Sequence, residues 1–379
     1  PSFSVAPEKG FYYCFGCHAS GNAIKFLMEL EHLTFVEALE RLANRANIPL
    51  PEAKLSPEQR ARDERRKKLY EASDLAATFF HNCLTQTSIG KVGLDYLKKR
   101  GLTQETIETF KLGFAPDGWD KLYRAFHERG IDDSILLELN LVRKNQKGQF
   151  YDFFRNRIMF PIMDGKGRVV AFGGRVMDDS TPKYLNSPET RLFKKSNLLY
   201  GMNIAKSHIR KNNTVLLVEG YLDVIQMMQH GIMNCVAPLG TSLTKEQVKS
   251  IIRQTYNFTL VFDGDSAGIT ASERACLLIS EHNGHARVVR LPENKDPDEY
   301  LNYYGKEKLL RLIESPQESI SFFLENAIKK NGNERIDQKL KTIEDLAPLI
   351  QNMTTRLEYE NSIDKISKEL VLSTYAVID

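Results

Sequence analysis

The sequence predicts an α/β protein: a mostly parallel sheet covered by helices, with a mixed α/β segment before it and a helical bundle after it. Three observations carry this. Between residues 214 and 291, short β-branched runs alternate with helical stretches; an apolar run over 157–163 is joined to another at 169–172 by Asp164-Gly165-Lys166-Gly167; and no strand pattern occurs beyond about residue 301.

In chain order, residues 1–50 form an opening module. A Cys14-Phe15-Gly16-Cys17 turn is followed by Ile24, Phe26, Leu27, Leu30, Phe35, Val36, Leu39 and Leu42 at roughly helical spacing, and Pro49 and Pro51 end the pattern. Residues 51–68 include the run S-P-E-Q-R-A-R-D-E-R-R-K-K, almost without apolar content, which reads as a charged linker or an exposed helix start. Residues 69–212 begin with helical patterns broken at Gly90, Gly101 and the turn over 114–118, then carry the hairpin. Residues 213–300 read β-α-β-α-β-α-β, with strands at 214–219, 233–237, 259–263 and 287–291 and helices at 222–230, 245–255 and 269–282. Residues 301–379 are helical.

A chain of 379 residues, 42% hydrophobic and 27% charged, has room for two or three cored domains, which excludes a small disulfide scaffold and a largely disordered protein. No apolar run approaches the ~18 residues of a membrane span, and no signal peptide opens the chain. Five scattered cysteines suit a reducing compartment, so a cytoplasmic protein without membrane contact is expected. The chain opens on Pro1 rather than methionine and is expected to be a piece of a longer one. The net charge of +3 says little, but twelve Lys/Arg against four acids between Arg155 and Lys211 point to a polyanion.

In open α/β sheets, ligands bind beyond the carboxyl ends of the strands. There this sequence places carboxylates three times: Glu219 and Asp223 after the first strand, Asp263 and Asp265 after the third, Asp296 and Asp298 after the fourth. Any single pair could be a turn or a helix N-cap. Three pairs at successive strand ends are another matter, because two charges ~4 Å apart repel by ~4 kcal/mol at an effective dielectric near 20. Divalent metal supplies the counter-charge, and oxygen-only ligands favour Mg²⁺ or Mn²⁺. A two-metal site points to phosphoryl or nucleotidyl transfer. Gly264 and Gly268 would let backbone approach an ion or a phosphate.

In the basic segment, Phe172, Tyr184, Phe193 and Tyr200 interleave with the cations, and Gly173-Gly174 permits close backbone approach, a pattern for tracking single-stranded nucleic acid or holding a nucleotide; the bland alternative is a solvated lysine face. Cys14 and Cys17 make half of a structural zinc site, which closes with four ligands. His18 follows too closely to complete it, His32 reads as a surface residue within a helix, and Cys83, Cys235 and Cys276 read as packing residues.

Glu219-Gly-Tyr-Leu-Asp223, Asp263-Gly-Asp265-x-Ala-Gly and Asp296-Pro-Asp298 resemble the metal-binding signature of the Toprim domain, shared by primases, type IA and II topoisomerases and small nucleases. Upstream, Arg157-Ile-Met-Phe-Pro-Ile, Phe172-Gly-Gly-Arg175 and Pro182-Lys183-Tyr-Leu-Asn-Ser-Pro-Glu-Thr stand in the order seen in bacterial DnaG-type primases, and the Cys-Phe-Gly-Cys-His opening fits too. Over essentially the whole chain, the resemblance implies an RNA polymerase core, with a mixed α/β subdomain, a Toprim subdomain and a helical subdomain behind the remnant of a zinc ribbon. The implied activity is synthesis of short RNA primers on single-stranded DNA from ribonucleoside triphosphates at replication forks, by two-metal nucleotidyl transfer.

The resemblance implies that Asp263, Asp265, Asp296 and Asp298, with Glu219, bind Mg²⁺ (or Mn²⁺) and that Asp223 helps hold the acidic site. Glu219, Asp223, Asp263 and Asp265 are the expected catalytic acids; whether Glu219 is a base for the 3′-hydroxyl or orients metal-bound water stays open. Arg100, Arg175, Lys183 and Lys195 match the basic ridge that grips template and nucleotides, with Lys194 adjacent and Arg155 and Arg157 upstream. The family's ribbon has a Cys-x-x-His pair ahead of the Cys-x-x-Cys pair. This chain is expected to start after that place, so the resemblance implies Zn²⁺ in the longer protein, and likewise a helicase-binding domain for the replicative helicase. Two rivals stand: a Toprim nuclease or topoisomerase cleaving strands, for which no strand-passage module fits in 379 residues, and a non-catalytic DNA-binding module, against which the six acids argue.

Overall fold

The computed structural model describes residues 2–16, 18–31, 35–48, 56–240 and 242–378. The chain divides into two units, Pro1–Glu64 and Arg65–Asp379. In the first, strands Phe3–Ala6, Phe11–Cys14 and Ser20–Gly21 form an antiparallel sheet. Tyr12 is its buried anchor: its ring meets those of Phe3 and Phe26, and its hydroxyl donates to Glu29 at 2.8 Å. Helices Ala23–Leu30 and Phe35–Ala46 take up the periodic apolar residues.

The charged stretch expected as a linker is helical from its start: Pro57–Gln86 is one 30-residue helix, α1. Ser56 and Gln59 explain the start, the Gln59 amide donating to the Ser56 hydroxyl while the Ser56 amide donates to the Gln59 side chain, with proline at the first helical position. Further along, Leu69, Ala72, Ala76, Phe80 and Leu84 recur every three or four residues and bury one face of α1. Helix α2, Lys91–Lys99, follows.

The second unit holds two larger sheets. The first is antiparallel, in the order β1 (Gly113–Ala115), β2 (Arg157–Met163), β3 (Val169–Arg175) and β4 (Tyr184–Asn186). The Asp164 carboxylate builds the β2–β3 turn by accepting from the amides of Lys166 and Arg168. Both faces are covered: Ile158, Phe160 and Ile162 join one apolar cluster, while Met159 on the opposite face joins the other, with Phe80, Phe126, Phe154 and Phe172. Double burial is why the sequence shows a continuous apolar run rather than alternation. Each such side chain removed from water contributes about 1.5–3 kcal/mol.

The second sheet runs β6-β5-β7-β8-β9, from β5 (Val215–Leu217), β6 (Cys235–Val236), β7 (Asn257–Leu260), β8 (His285–Val288) and β9 (Gln317–Glu318). The first four strands are mutually parallel, as their alternation with helices requires; helices α3 (Tyr221–Gln229), α4 (Ser266–Ser280) and α5 (Pro297–Tyr304) follow β5, β7 and β8. Strand β9 corrects the expectation of helix alone beyond 301: two polar residues pair antiparallel with β8, and Arg287 bonds Glu318 across the pair at 2.8 Å. The remainder is helical, with Ser319–Asn331, Ile336–Gln351 and Arg356–Leu370 burying Phe322, Leu346, Leu349, Ile363 and Ile366. No helix among the described residues is long and apolar enough to cross a membrane.

The two sheets are joined through aromatic rings. Tyr221, at the start of α3, stacks on Phe160 of β2 at 5.4 Å and lies against Gly173 of β3, where a Cβ would fall 2.5 Å from its ring. Gly174 likewise makes room for Phe154. These two glycines therefore serve internal packing, a role that the sequence reading of close backbone approach did not include.

Candidate active site

Parallel strands deliver their carboxyl ends to one rim, and the acids follow from that. Glu219 stands two residues past β5 and accepts a hydrogen bond from the Asp263 amide at 3.1 Å, which ties the tips of β5 and β7 together. Asp223 is buried in the first turn of α3, where it accepts from the Gly220 amide at 2.8 Å. Asp265 caps α4 through the Gly268 amide at 2.8 Å, and Asp296 caps α5 through the Glu299 amide at 2.7 Å. Gly268 is required, since a Cβ there would sit 2.1 Å from the Asp263 carbonyl oxygen. Asp298, 2% exposed, accepts from Asn302 at 2.7 Å and from Arg100 at 3.1 Å.

Glu219, Asp223, Asp263, Asp296 and Asp298 thus line one cleft of about 310 Å³, together with Arg100, Arg175 and Lys183. Arg100 leaves the end of α2, and its carbonyl is held by Gln226 of α3 at 2.6 Å. Arg175 is 6% exposed; it donates to the Tyr184 hydroxyl at 2.9 Å and lies over the Tyr184 ring, and its buried Nε has no partner among the described residues. The neighbouring guanidinium does not keep the Tyr184 phenol acidic: burial dominates and pushes it up to about 12.

The acids destabilise one another's charge. Burial first, then Glu219, Asp296 and Asp265, push the Asp263 carboxyl up to about 7. Glu219 is raised by burial, with Asp265 and Asp296 adding to it against the stabilising Asp263 amide. Asp223 is pushed well above the carboxylate range by burial and then by Asp296 and Asp263. Asp298 is raised by burial and by Asp296 in spite of Arg100.

Among the described residues, no three of these groups already close a coordination shell. The donor set nevertheless fits a hard divalent cation: all ligands are carboxylate oxygens, their repulsion is only partly offset by Arg100 at Asp298, and Asp263 Oδ1 is buried without a partner among the described residues. Asp265 does not line the cleft, although its charge acts on both Glu219 and Asp263. Of the proposed zinc pair, Cys14 ends a strand, while Cys17 lies outside the described residues, as does His32.

The remaining basic candidates do not line the cleft. Arg155 lies over Trp119 and donates to the Asp152 carbonyl. Arg157 is buried and donates to the carbonyls of Gly174 (3.2 Å) and Pro182 (3.0 Å), so it steadies the segment that carries Lys183 instead of facing a ligand. Lys194 is exposed and Lys195 half-buried, both in the segment that docks on Gln247. The sequence reading missed Asn186, Tyr221 and Glu299 in the cleft wall. Each stood in or beside a stretch read for other residues: Tyr221 between Glu219 and Asp223, Asn186 three residues past Lys183, and Glu299 one past Asp298.

Residues 1–58 match the CHC2 zinc finger family, 79–206 the N-terminal domain of the DNA primase catalytic core, and 216–301 the Toprim-like family. A DNA primase domain from Pseudomonas aeruginosa, solved by crystallography, is 35% identical with a TM-score of 0.74 over 82% of this chain and 98% of that one. The chain belongs to the DnaG-type DNA primase family. A DnaG primase catalytic domain bound to single-stranded DNA is similar at 34% identity and TM-score 0.72, over 81% of this chain and 99% of that one. The DNA primase of Halalkalibacterium halodurans is 41% identical over all 379 residues, of which it extends well beyond: the chain spans 63% of that relative's length. The primase fold therefore accounts for the mixed α/β, Toprim and helical parts together.

Proposed function

We propose that this cleft is the catalytic centre of a DNA-directed RNA polymerase that makes RNA primers on single-stranded DNA. The observation that carries the reading is the meeting, in a primase-family chain, of five strand-end carboxylates with Arg100, Arg175 and Lys183 in one space. The acids suit a divalent cation and the cations suit a triphosphate. Three positive side chains in the same cleft give a ribonucleoside triphosphate its anchor, and Arg175 Nε still has a hydrogen bond to give.

In the reaction, the 3′-hydroxyl oxygen of the growing strand forms a bond to the α-phosphorus as the bond from that phosphorus to the leaving pyrophosphate breaks, the pyrophosphate taking the electron pair. Glu219, its carboxyl raised, is suited to take the hydroxyl proton. Asp263, Asp296 and Asp298 would hold Mg²⁺ or Mn²⁺, with Asp265 and Asp223 shaping the field; such an ion, when bound, neutralises charge on the transferring phosphoryl group. The single-stranded DNA bound by the similar DnaG catalytic domain supports a DNA template here. At the level of the longer protein, the reading includes a Zn²⁺-loaded ribbon, a replicative helicase as partner and a place at the cytoplasmic replication fork.

The test is extension of an RNA primer annealed to a DNA template, with labelled ribonucleotides and Mg²⁺, beside Asp263→Ala and a supercoiled plasmid. Extension that Asp263→Ala abolishes is expected. Plasmid cleavage without extension would replace polymerase by strand cleavage.

A further inference from the structure

On the other side of Glu219 lies a second cavity, of about 480 Å³, that the acidic cleft does not include. It shares Glu219, Pro238 and Gly240 with the cleft, so the two spaces are contiguous across one carboxylate. Its size falls within the ~300–1,000 Å³ typical of small-molecule sites.

The chemistry of its walls differs. None of the cleft's three cations lines it; Leu243, Phe262, Ala271 and Ala275 give it an apolar wall beside the polar Glu219 and Ser242, and Arg274 supplies its one positive charge. Ala271, Arg274 and Ala275 stand at positions i, i+3 and i+4 of α4, so two small residues leave a flat helix face with the guanidinium beside it. Arg274 is exposed, and no carboxylate among the described residues pairs with it.

We propose that this cavity holds the 3′-terminal nucleotide of the RNA primer, with Arg274 on its phosphodiester. The inference rests on the polymerase reading above, and charge is what separates its two substrates. A nucleoside triphosphate brings several negative charges and matches the three-cation cleft; a strand terminus brings one phosphodiester and a large uncharged nucleoside, and matches one arginine beside an apolar wall. A terminus seated there presents its 3′-hydroxyl toward Glu219, and the α-phosphate of a nucleotide in the cleft meets it from the opposite side. Arg274 is thus a binding residue for the primer and takes no part in the chemical step.

The experiment varies the concentration of annealed primer–template at saturating ribonucleotide, then the ribonucleotide at saturating primer–template, for the 379-residue chain, Arg274→Ala and Ala271→Leu. Anisotropy of the labelled template strand alone is measured in parallel. Arg274→Ala is expected to raise KM for the annealed primer about tenfold, the loss of one charge-assisted contact, with kcat, the ribonucleotide KM and the template affinity within about twofold of the parent. Ala271→Leu, which narrows the cavity without touching charge, should raise the same KM; its melting temperature reports whether it folds. An unchanged primer KM in Arg274→Ala, or a rise in the ribonucleotide KM instead, overturns the subsite while leaving the polymerase standing. Equal weakening of bare template binding overturns it in favour of a template contact. Absence of extension by the parent chain overturns the polymerase reading and the subsite with it.

Discussion

Arg100 and Asp298 lie 198 positions apart and meet at 3.1 Å, the aspartate side chain 3% exposed and the arginine 33%. The pair ties the end of α2 to the first turn of α5 in the cleft wall. Its energetics are asymmetric, because Asp298 has little access to water without Arg100 whereas Arg100 has some without Asp298. Arg100→Ala is therefore expected to cost about 1–3 kcal/mol, between an exposed pair and a fully buried one since the arginine is partly solvated. Asp298→Asn should cost less, and the double variant less than the sum. Urea unfolding of the four proteins checks this, and strict additivity would show that the contact carries no coupling.

The Asp263 carboxyl, raised to about 7 in the fold against an ordinary 3.8, makes the metal-free protein sensitive to pH. A raised carboxyl binds its proton more tightly when folded, so its contribution is fully present below about pH 4 and is lost as pH climbs through about 7. Glu219, Asp223 and Asp298 shift in the same direction. A divalent cation acts where the carboxylates are ionised, so Mg²⁺ should raise the melting temperature more at pH 8 than at pH 5.5. Asp263→Asn should shrink that increment and raise the metal-free melting temperature at pH 8. An Mg²⁺ effect equal at both pH values, or larger in acid, would speak against binding at these acids.

How much of this the sequence disclosed depends on range. The alternation after residue 214 and the turn at Asp164 to Gly167 are local signals, and both elements formed. Strands β7 and β8 nevertheless lie at 257–260 and 285–288, two to three residues ahead of the expected 259–263 and 287–291, because the apolar run continues past the last paired residue. At Asp265 and Asp296 two readings competed, helix cap or site acid; the structure shows both as caps, with Asp296 also lining the cleft and Asp265 acting on the acids next to it only through its charge. The Arg100–Asp298 contact, by contrast, is set by how α2 and α5 pack, and no spacing encodes it. The same holds for Arg157, which composition counts as basic but burial turns into a brace for Pro182. Strand β9 escaped because two polar residues carry no period; β8 defines it from outside.

Arg175 is expected to resist conservative replacement. Its guanidinium lies over the Tyr184 ring at 5.2 Å, donates to the Tyr184 hydroxyl and has a buried Nε without a partner among the described residues. Lysine brings a point charge without the planar fork that serves the stack, the hydroxyl and a ligand at once. Arg175→Lys should therefore raise the ribonucleotide KM about tenfold or more while the melting temperature falls only a little. Steady-state extension over a ribonucleotide series measures it, and a parent-like KM would reduce Arg175 to a source of positive field.

Gly173→Ala separates two reasons for a glycine in the basic segment. If nucleic acid approached the backbone there, a methyl group would weaken binding and leave the fold alone. The structure instead puts that methyl 2.5 Å from the Tyr221 ring, which also stacks on Phe160 and donates to Asn186 at 2.7 Å. The ring cannot retreat without breaking those contacts, so the substitution is expected to destabilise the protein by about 1–3 kcal/mol, the usual cost of overpacking a core. Asn186 lines the cleft and also bonds the Leu239 carbonyl, so the strain reaches the cleft wall. Activity should then fall through a lower kcat at saturating primer–template, while anisotropy shows parent-like affinity for single-stranded DNA. Weakened DNA binding with an unchanged unfolding midpoint would return the glycine to the nucleic-acid surface.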